Sequence, residues 1–523
     1  MSINLKQNIW VFFSLFFLML AIAYNVLTQY NLLDRPLNWD EVDYIQAARK
    51  GVVKNAFENG SLSFFQLAEL GKAKLQMSTF STKNFPQEFE DVFTLRHFHH
   101  PLPVYFWNSF VNDDISRQDV LARISNIVLS LLCALIFFVA AFGLFSQKEN
   151  VQSHIAIISC LAVFVSCNLF IGSFYELNFH TFFLLVTLYF VLCLISYLQQ
   201  PSKRKGVWLA FAATAVFCTL ETSVFVFAGA IVGIYFLKQS TSLKLNLRRN
   251  LFLFILFSVI LWPGVLRTLG PLKSWAMYAY RIFAMKNVAY EQVSVLTTLK
   301  NILSENILVS VIIICGYARM FYNYRKDKSF DKLNFIPGII GLVYFLLILP
   351  FTISNTYILP AVALLLLGCI PGIISLMKFS YARYIFPSVC FASVLTLFLT
   401  ADFIKLKNNS LEHGKKFQDD LTELKTLFQY DGKVLADGGR IFKYYLPQHA
   451  DQFTELFRFN MDSARFAVRE NYQYVQVDSL LEKKYYRGII IGKQRNYTRQ
   501  QFDKLQHWGY NLKELNNYYL FYR

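Results

Sequence analysis

The chain has 523 residues, 55% hydrophobic and only 16% charged, whereas a soluble protein of this size carries nearer a quarter charged residues. Its net charge of +17 does not signal nucleic-acid binding, because much of the basic excess lies in short loops between apolar segments, the positive-inside pattern of a membrane protein. The eight cysteines all fall in or beside apolar stretches and form no Cys-x-x-Cys pair, so neither a disulfide framework nor a thiolate metal site is expected.

A membrane-spanning helix needs about 20 largely apolar residues. The first such run, from Ile9 to Leu27, is longer than the core of a cleavable signal peptide and is read as a signal anchor that stays attached. Further segments lie near 121–145, 154–172, 179–198, 207–220, 222–237, 251–266, 303–320, 335–351, 357–377 and 385–401. The predicted fold class is a polytopic α-helical membrane protein with about eleven spans over residues 1–401, followed by a C-terminal α/β domain over 402–523. The pair 207–220 and 222–237 is short for two spans and reads equally as broken helices meeting at Glu221.

Lys/Arg-rich loops at 199–206, 238–250, 323–334 and 378–384 all fall on one side if the N-terminus is cytoplasmic. That assignment places the loop 28–120 and the tail 402–523 outside the cytoplasm. The residues do not tell a periplasm from an ER lumen; the expected location is a bacterial inner membrane. Two stretches of the loop, 45–60 and 63–76, have the spaced apolar positions of helices lying along a membrane surface. In the tail, KVLAD (433–437), YVQVD (474–478), GIIIG (488–492) and YYLFY (518–522) read as strands, with helices at 414–429 and 498–509. Asp437 and the glycines after it read as a turn.

Four places could carry chemistry. Asp40-Glu41 follows the first span; a carboxylate there could act as a general base or ligate a metal. The same residues also suit a helix start, with Asp40 as N-cap and Asp43 in the first turn. LRHFHHPLPVYFW (95–107) returns the chain to the membrane, and His97, His99 and His100 could meet phosphate oxygens or a metal. Their spacing is a poor zinc pattern, and the alternative is interfacial anchoring by the histidines, Tyr105 and Trp107. GSFYELNFHTFF (172–183) sets Glu176, Asn178 and His180 in a tight turn between two spans. Arg267, Lys273 and Arg281 follow a span on the side that the positive-inside trend leaves poor in cations, which suits a lipid phosphate or ordinary anionic headgroups.

The order and sidedness of these elements resemble the GT-C glycosyltransferases, and within them the protein O-mannosyltransferase and aminoarabinose (lipid A) transferase group. Four stretches carry the resemblance: the acidic pair Asp40-Glu41, HHPLP (99–103), IGSFYELNFH (171–180) and NTYILPAVALLLLG (355–368). It covers roughly residues 8–400. It implies transfer, with inversion, of a sugar from a polyprenyl- or dolichyl-phosphate donor to an extracytoplasmic lipid, glycan or protein acceptor. The catalytic residues it implies are Asp40, as base, with Glu41 and Glu176. Arg96, His97, His100, Arg267 and Tyr357 would meet the donor phosphate, and Asn178 and His180 would line the acceptor or second-loop side. A divalent metal is left open, and the other expected partners are membrane lipids, not nucleic acid. The chain departs from the group where TLETS (219–223) replaces a Lys-Gly after the fifth span and where Asn178 stands for an aspartate. The alternative function is a membrane transporter of a lipid-linked or small polar substrate, for which the charged, broken segment at Glu221 is the one cue.

Overall fold

A computed structural model describes residues 5–50, 101–111, 115–145, 151–220, 222–238, 246–262, 306–326, 332–349, 355–379, 381–427, 432–457, 466–470, 473–493 and 499–523, with isolated positions around 296–303. The first helices are α1 (Leu5–Tyr30), α2 (Trp39–Lys50), α3 (Pro101–Asn108), α4 (Ile115–Phe145), α5 (Val151–Ser166) and α6 (Asn168–Ser173). Then come α7 (Phe179–Gln199), α8 (Lys203–Phe217), α9 (Ser223–Lys238), α10 (Leu247–Leu261), α11 (Ile307–Lys326), α12 (Ile336–Ile348), α13 (Leu359–Leu376) and α14 (Ala382–Thr400). A helix stands at each apolar segment read from the sequence. Among the described residues six of them, in α1, α4, α7, α11, α13 and α14, are long and apolar enough to cross a membrane. The chain is an integral, multi-pass membrane protein.

α7 and α13 form the buried centre of the bundle, while α1, α11 and α14 keep most of their surface outward. Phe12, Phe16 and Met19 on α1 and Ile385, Val389 and Leu399 on α14 are exposed, as lipid-facing side chains must be. Lipid gives no hydrophobic drive between helices, so close packing and small residues hold them. At the α11–α13 crossing, a Cβ on Gly372 would stand 1.9 Å from the carbonyl oxygen of Gly316. α1 and α4 are tied by a buried polar cluster: Asn25 and Gln29 both donate to the Ser130 hydroxyl, at 3.0 and 3.1 Å. α8 and α9 are separate helices with a break at 218–222, as the shortness of that pair suggested; Glu221 itself lies outside the described residues.

After α14 the chain continues as α15 (Phe403–Leu427) into an α/β domain. Its strands are β1 (Lys433–Ala436), β2 (Phe453–Phe457), β3 (Ala467–Glu470), β4 (Gln473–Gln476), β5 (Tyr486–Gly492), β6 (Asn511–Glu514) and β7 (Tyr518–Tyr522), in the order β4-β3-β2-β1-β5-β7-β6. β1 pairs in parallel with β2 and β5, and the other pairs are antiparallel. The remaining helices are α16 (Gly439–Tyr445), α17 (Asp478–Glu482) and α18 (Arg499–His507). Alternation along the central strands fills both faces, as period two requires. Val434, Ala436 and Ile490 pack with Phe417, Leu421 and Leu424 of α15 and Phe442 of α16. Leu435, Ile489 and Ile491 pack on the other face with Leu481 and Leu505. β2, β3 and β6 were not foreseen in the sequence, and the strand read at 474–478 is shorter and earlier, at 473–476.

Candidate functional site

α2 starts on a capping box. The Glu41 amide donates to the Asn38 side-chain oxygen at 3.0 Å, and the Asn38 amide donates back to Glu41 Oε2 at 2.7 Å. Asn-x-x-Glu satisfies two of the amide donors that every helix start leaves orphaned. The cap therefore falls to Asn38, not to Asp40, the cap suggested by the sequence. Asp40, at the second helical position, is exposed.

Glu41 is wholly buried and does more than cap. Its Oε1 accepts the Leu177 amide at 2.9 Å, and its Oε2 lies 3.0 Å from Arg123 Nη2. Arg123, on α4 and 4% exposed, also donates to the backbone carbonyls of Arg35 (2.8 Å), Pro36 (2.8 Å) and Tyr175 (2.9 Å). A guanidinium presents its donors in a fixed fork, and here the fork joins the approach to α2, α2 itself and the 174–178 connection. Burial pushes the Glu41 carboxyl above the ordinary carboxylate range, while Arg123 and the Asn38 and Leu177 amides pull it back. Three donors converge on it, so it is a structural anchor beside the exposed Asp40.

The 174–178 connection is fixed with equal care. Asn178 caps α7, accepting the Thr181 amide at 3.0 Å, while its own amide donates to the carbonyls of Ser173 (2.8 Å) and Glu176 (3.0 Å). Backbone groups thus occupy the side chain aligned with the second-loop position. Glu176 is half-exposed and pairs with Arg35 at 3.3 Å. His180, buried in the first turn of α7, lies against Tyr357 with ring centroids 3.8 Å apart. On the buried side of α2, Tyr44 stacks on Trp107 of α3 (5.3 Å between centroids, 15° between planes) and meets Phe179 edge-on at 4.7 Å. Trp107 is 1% exposed, so the interfacial-anchor reading fails for it: the indole fills the space under α2 instead.

The fold thus ties Glu41, through Arg123 and the Leu177 amide, to the connection that carries Glu176, Asn178 and His180, with Tyr357 against His180; Asp40 is exposed next to Glu41 on α2. Arg96, His97, His100 and Arg267 lie outside the described residues, as do Lys273, Arg281 and most of the stretches 45–60 and 63–76. Sequence reasoning missed Arg123 and Asp119. Their i, i+4 spacing puts both on one face of α4, and an arginine entering an apolar segment is itself a functional signal. Asp119 accepts hydrogen bonds from Tyr444, at 3.2 Å, and from Tyr445. Among the described residues no group of three or more His, Cys, Asp or Glu side chains is placed to hold a metal ion.

No family model and no curated protein sequence matches the chain. Solved structures do. The chain is similar to ArnT from Cupriavidus metallidurans, in the apo state and bound to undecaprenyl phosphate, each at 11% identity and a TM-score of 0.58 over 96% of this chain and 97% of that one. It is also similar to the Archaeoglobus fulgidus oligosaccharyltransferase in its apo form, at 10% identity and a TM-score of 0.53 over 95% of this chain and 71% of the other. Likeness at such identity is likeness of architecture: the chain has the fold of these solved structures.

Proposed function

We propose that the chain is a membrane glycosyltransferase that moves a sugar from a polyprenyl-phosphate-linked donor to an acceptor on the extracytoplasmic face. The observation that carries this is the exposed carboxylate of Asp40 beside a locked Glu41–Arg123 pair, at the head of α2 in a GT-C fold. One of the similar structures, an ArnT, has undecaprenyl phosphate bound, which supports a lipid-phosphate donor. In this reading the N-terminus is cytoplasmic, and the loop carrying α2 and the C-terminal domain lie outside.

The chemistry follows from the site. The acceptor hydroxyl or amine attacks the anomeric carbon and inverts it, its proton passes to Asp40, and the bond to the lipid phosphate breaks with its electron pair. A phosphate is a competent leaving group, so stabilising its charge matters more than protonating it. Arg96, His97, His100 and Arg267 are the proposed phosphate contacts, with Tyr357 beside them. Glu176, half-exposed and paired with Arg35, is the second carboxylate at the acceptor side.

The test is sugar transfer in liposomes from a panel of radiolabelled polyprenyl-phosphate sugars, comparing wild type with Asp40→Asn. Consumption of one donor by wild type and a loss of 10²–10⁴-fold in the variant is the expected result. A variant as active as wild type would remove Asp40 from the chemistry. The transporter reading has one favouring observation, the break between α8 and α9. It predicts uptake of substrate without consumption of the donor.

A further inference from the structure

The C-terminal domain touches α2 through one short helix. Arg440, on α16, places Nη1 2.5 Å from Asp43 Oδ2, and its Nε lies 3.7 Å from Glu455 of β2. Asp43 is three residues beyond Asp40, one turn along α2. Both partners of that pair are largely buried, at 19% and 11% exposure, so water screens it less than a surface pair. Five residues later, the Tyr445 hydroxyl accepts the Leu37 amide at 2.8 Å and donates to Asp119. Tyr444 donates to the same carboxylate at 3.2 Å. These contacts flank Asp40 on both sides: Leu37 just before the capping box and Asp43 just after it. On the bundle side, Arg123 holds the same stretch by Glu41, Arg35 and Pro36. The start of α2 is therefore held by both α4 and α16, which also meet each other at Asp119.

We infer that the C-terminal domain is a positioning device for the reaction: Arg440 and Tyr445 fix the start of α2 so that Asp40 points at the acceptor. This rests on the glycosyltransferase reading above. The residues act through Asp40 and touch no substrate, so they are positioning residues. The loss falls on turnover, because the geometry of attack is disturbed while the donor phosphate is held elsewhere. A misplacement of about 1 Å can cost up to 10²-fold in rate.

The experiment uses the full chain in liposomes, with kcat and donor KM measured for wild type, Arg440→Gln, Asp43→Asn, their double variant, Arg440→Lys and Tyr445→Phe. Each single removal is expected to lower kcat about tenfold or more with donor KM within about twofold. The double variant should be no worse than Arg440→Gln, since both remove one contact, and Arg440→Lys should recover part of the rate. Hydrogen exchange supplies a readout independent of turnover: the amides of residues 42–48 should exchange faster in Arg440→Gln and Tyr445→Phe. Should Arg440→Gln misfold, Tyr445→Phe, which deletes one oxygen, carries the same test. Unchanged kcat in both folded variants, losses confined to KM, or unchanged exchange at 42–48 would overturn the inference. A wild type inactive on every donor, with exchange still accelerated in the variants, would refute glycosyl transfer and leave the grip on α2 standing.

Discussion

Replacing Glu41 by Gln should destabilise the site without touching Asp40, the carboxylate proposed to do the chemistry, and replacing Asp40 by Asn should do the reverse. Three donors, the amides of Asn38 and Leu177 and the Arg123 guanidinium, converge on the two Glu41 oxygens at 2.7, 2.9 and 3.0 Å. An amide offers one acceptor oxygen and turns an NH2 toward the remaining donors. Arg123 is then left with a buried positive charge. Breaking such a pair costs about 3–5 kcal/mol. The carbonyls of Arg35, Pro36 and Tyr175 still accept from Arg123, which favours the lower end. At about 2 °C per kcal/mol, the figure for large domains, a cost near 3 kcal/mol is a fall of roughly 6 °C in Tm. Asp40 is exposed, so Asp40→Asn should stay within about 0.5 kcal/mol of wild type. Thermal unfolding in detergent, followed by tryptophan fluorescence, reads both. The reasoning is refuted if Glu41→Gln melts within about a degree of wild type, or if Asp40→Asn falls as far.

Gly414→Ala in α15 should destabilise, although alanine is the better helix former by about 1 kcal/mol, because the new Cβ would stand 2.7 Å from the Asp34 carbonyl oxygen; the sign of the change in Tm decides it. Gly372→Ala should be more severe, its Cβ meeting the Gly316 carbonyl at 1.9 Å, and is expected to lower the yield of monodisperse protein on size exclusion. Asn38→Ala should cost about 1 kcal/mol as a lost cap, seen as a smaller fall in Tm than that of Glu41→Gln. His413 on α15 is held below its ordinary pKa by burial first, and then by Arg35, Lys416 and Arg123. The folded state therefore disfavours its proton, so the contribution of His413 to stability is full above the unfolded value and is lost as pH falls through that value toward the folded one. In His413→Gln the decline in Tm between about pH 7 and pH 5 should be shallower than in wild type.

The apolar segments were legible because a bilayer imposes a length and a composition that few other constraints produce. The neighbouring carboxylates were not separable in this way. Asp40 and Glu41 are adjacent in a helix, and only the fold decides that one faces Arg123 and the other faces outward. Asn38 could have been recognised as the cap, since Asn-x-x-Glu ahead of an apolar run is a helix-start signature. Arg123 was hidden inside what reads as a membrane span. Arg440, Tyr444 and Tyr445 carry no local signal at all, because their partners lie hundreds of residues away. β6 escaped notice for another reason: Asn511–Glu514 is exposed throughout, so it lacks the alternation that marks a half-buried strand.

The separation in sequence across the grip on α2 has a consequence for how the protein is made. Leu37 waits for Tyr445, 408 residues downstream, and Asp43 for Arg440, 397 downstream. A growing chain has inserted its whole bundle before α16 emerges. During translation the carboxylate is thus present early, while its support arrives late. A chain stopped before residue 439 would keep every apolar helix yet lack the hydroxyl and guanidinium that clamp α2. On the positioning inferred above, copies truncated before residue 439 should turn over more slowly than the full chain, since they lack both contacts to the start of α2.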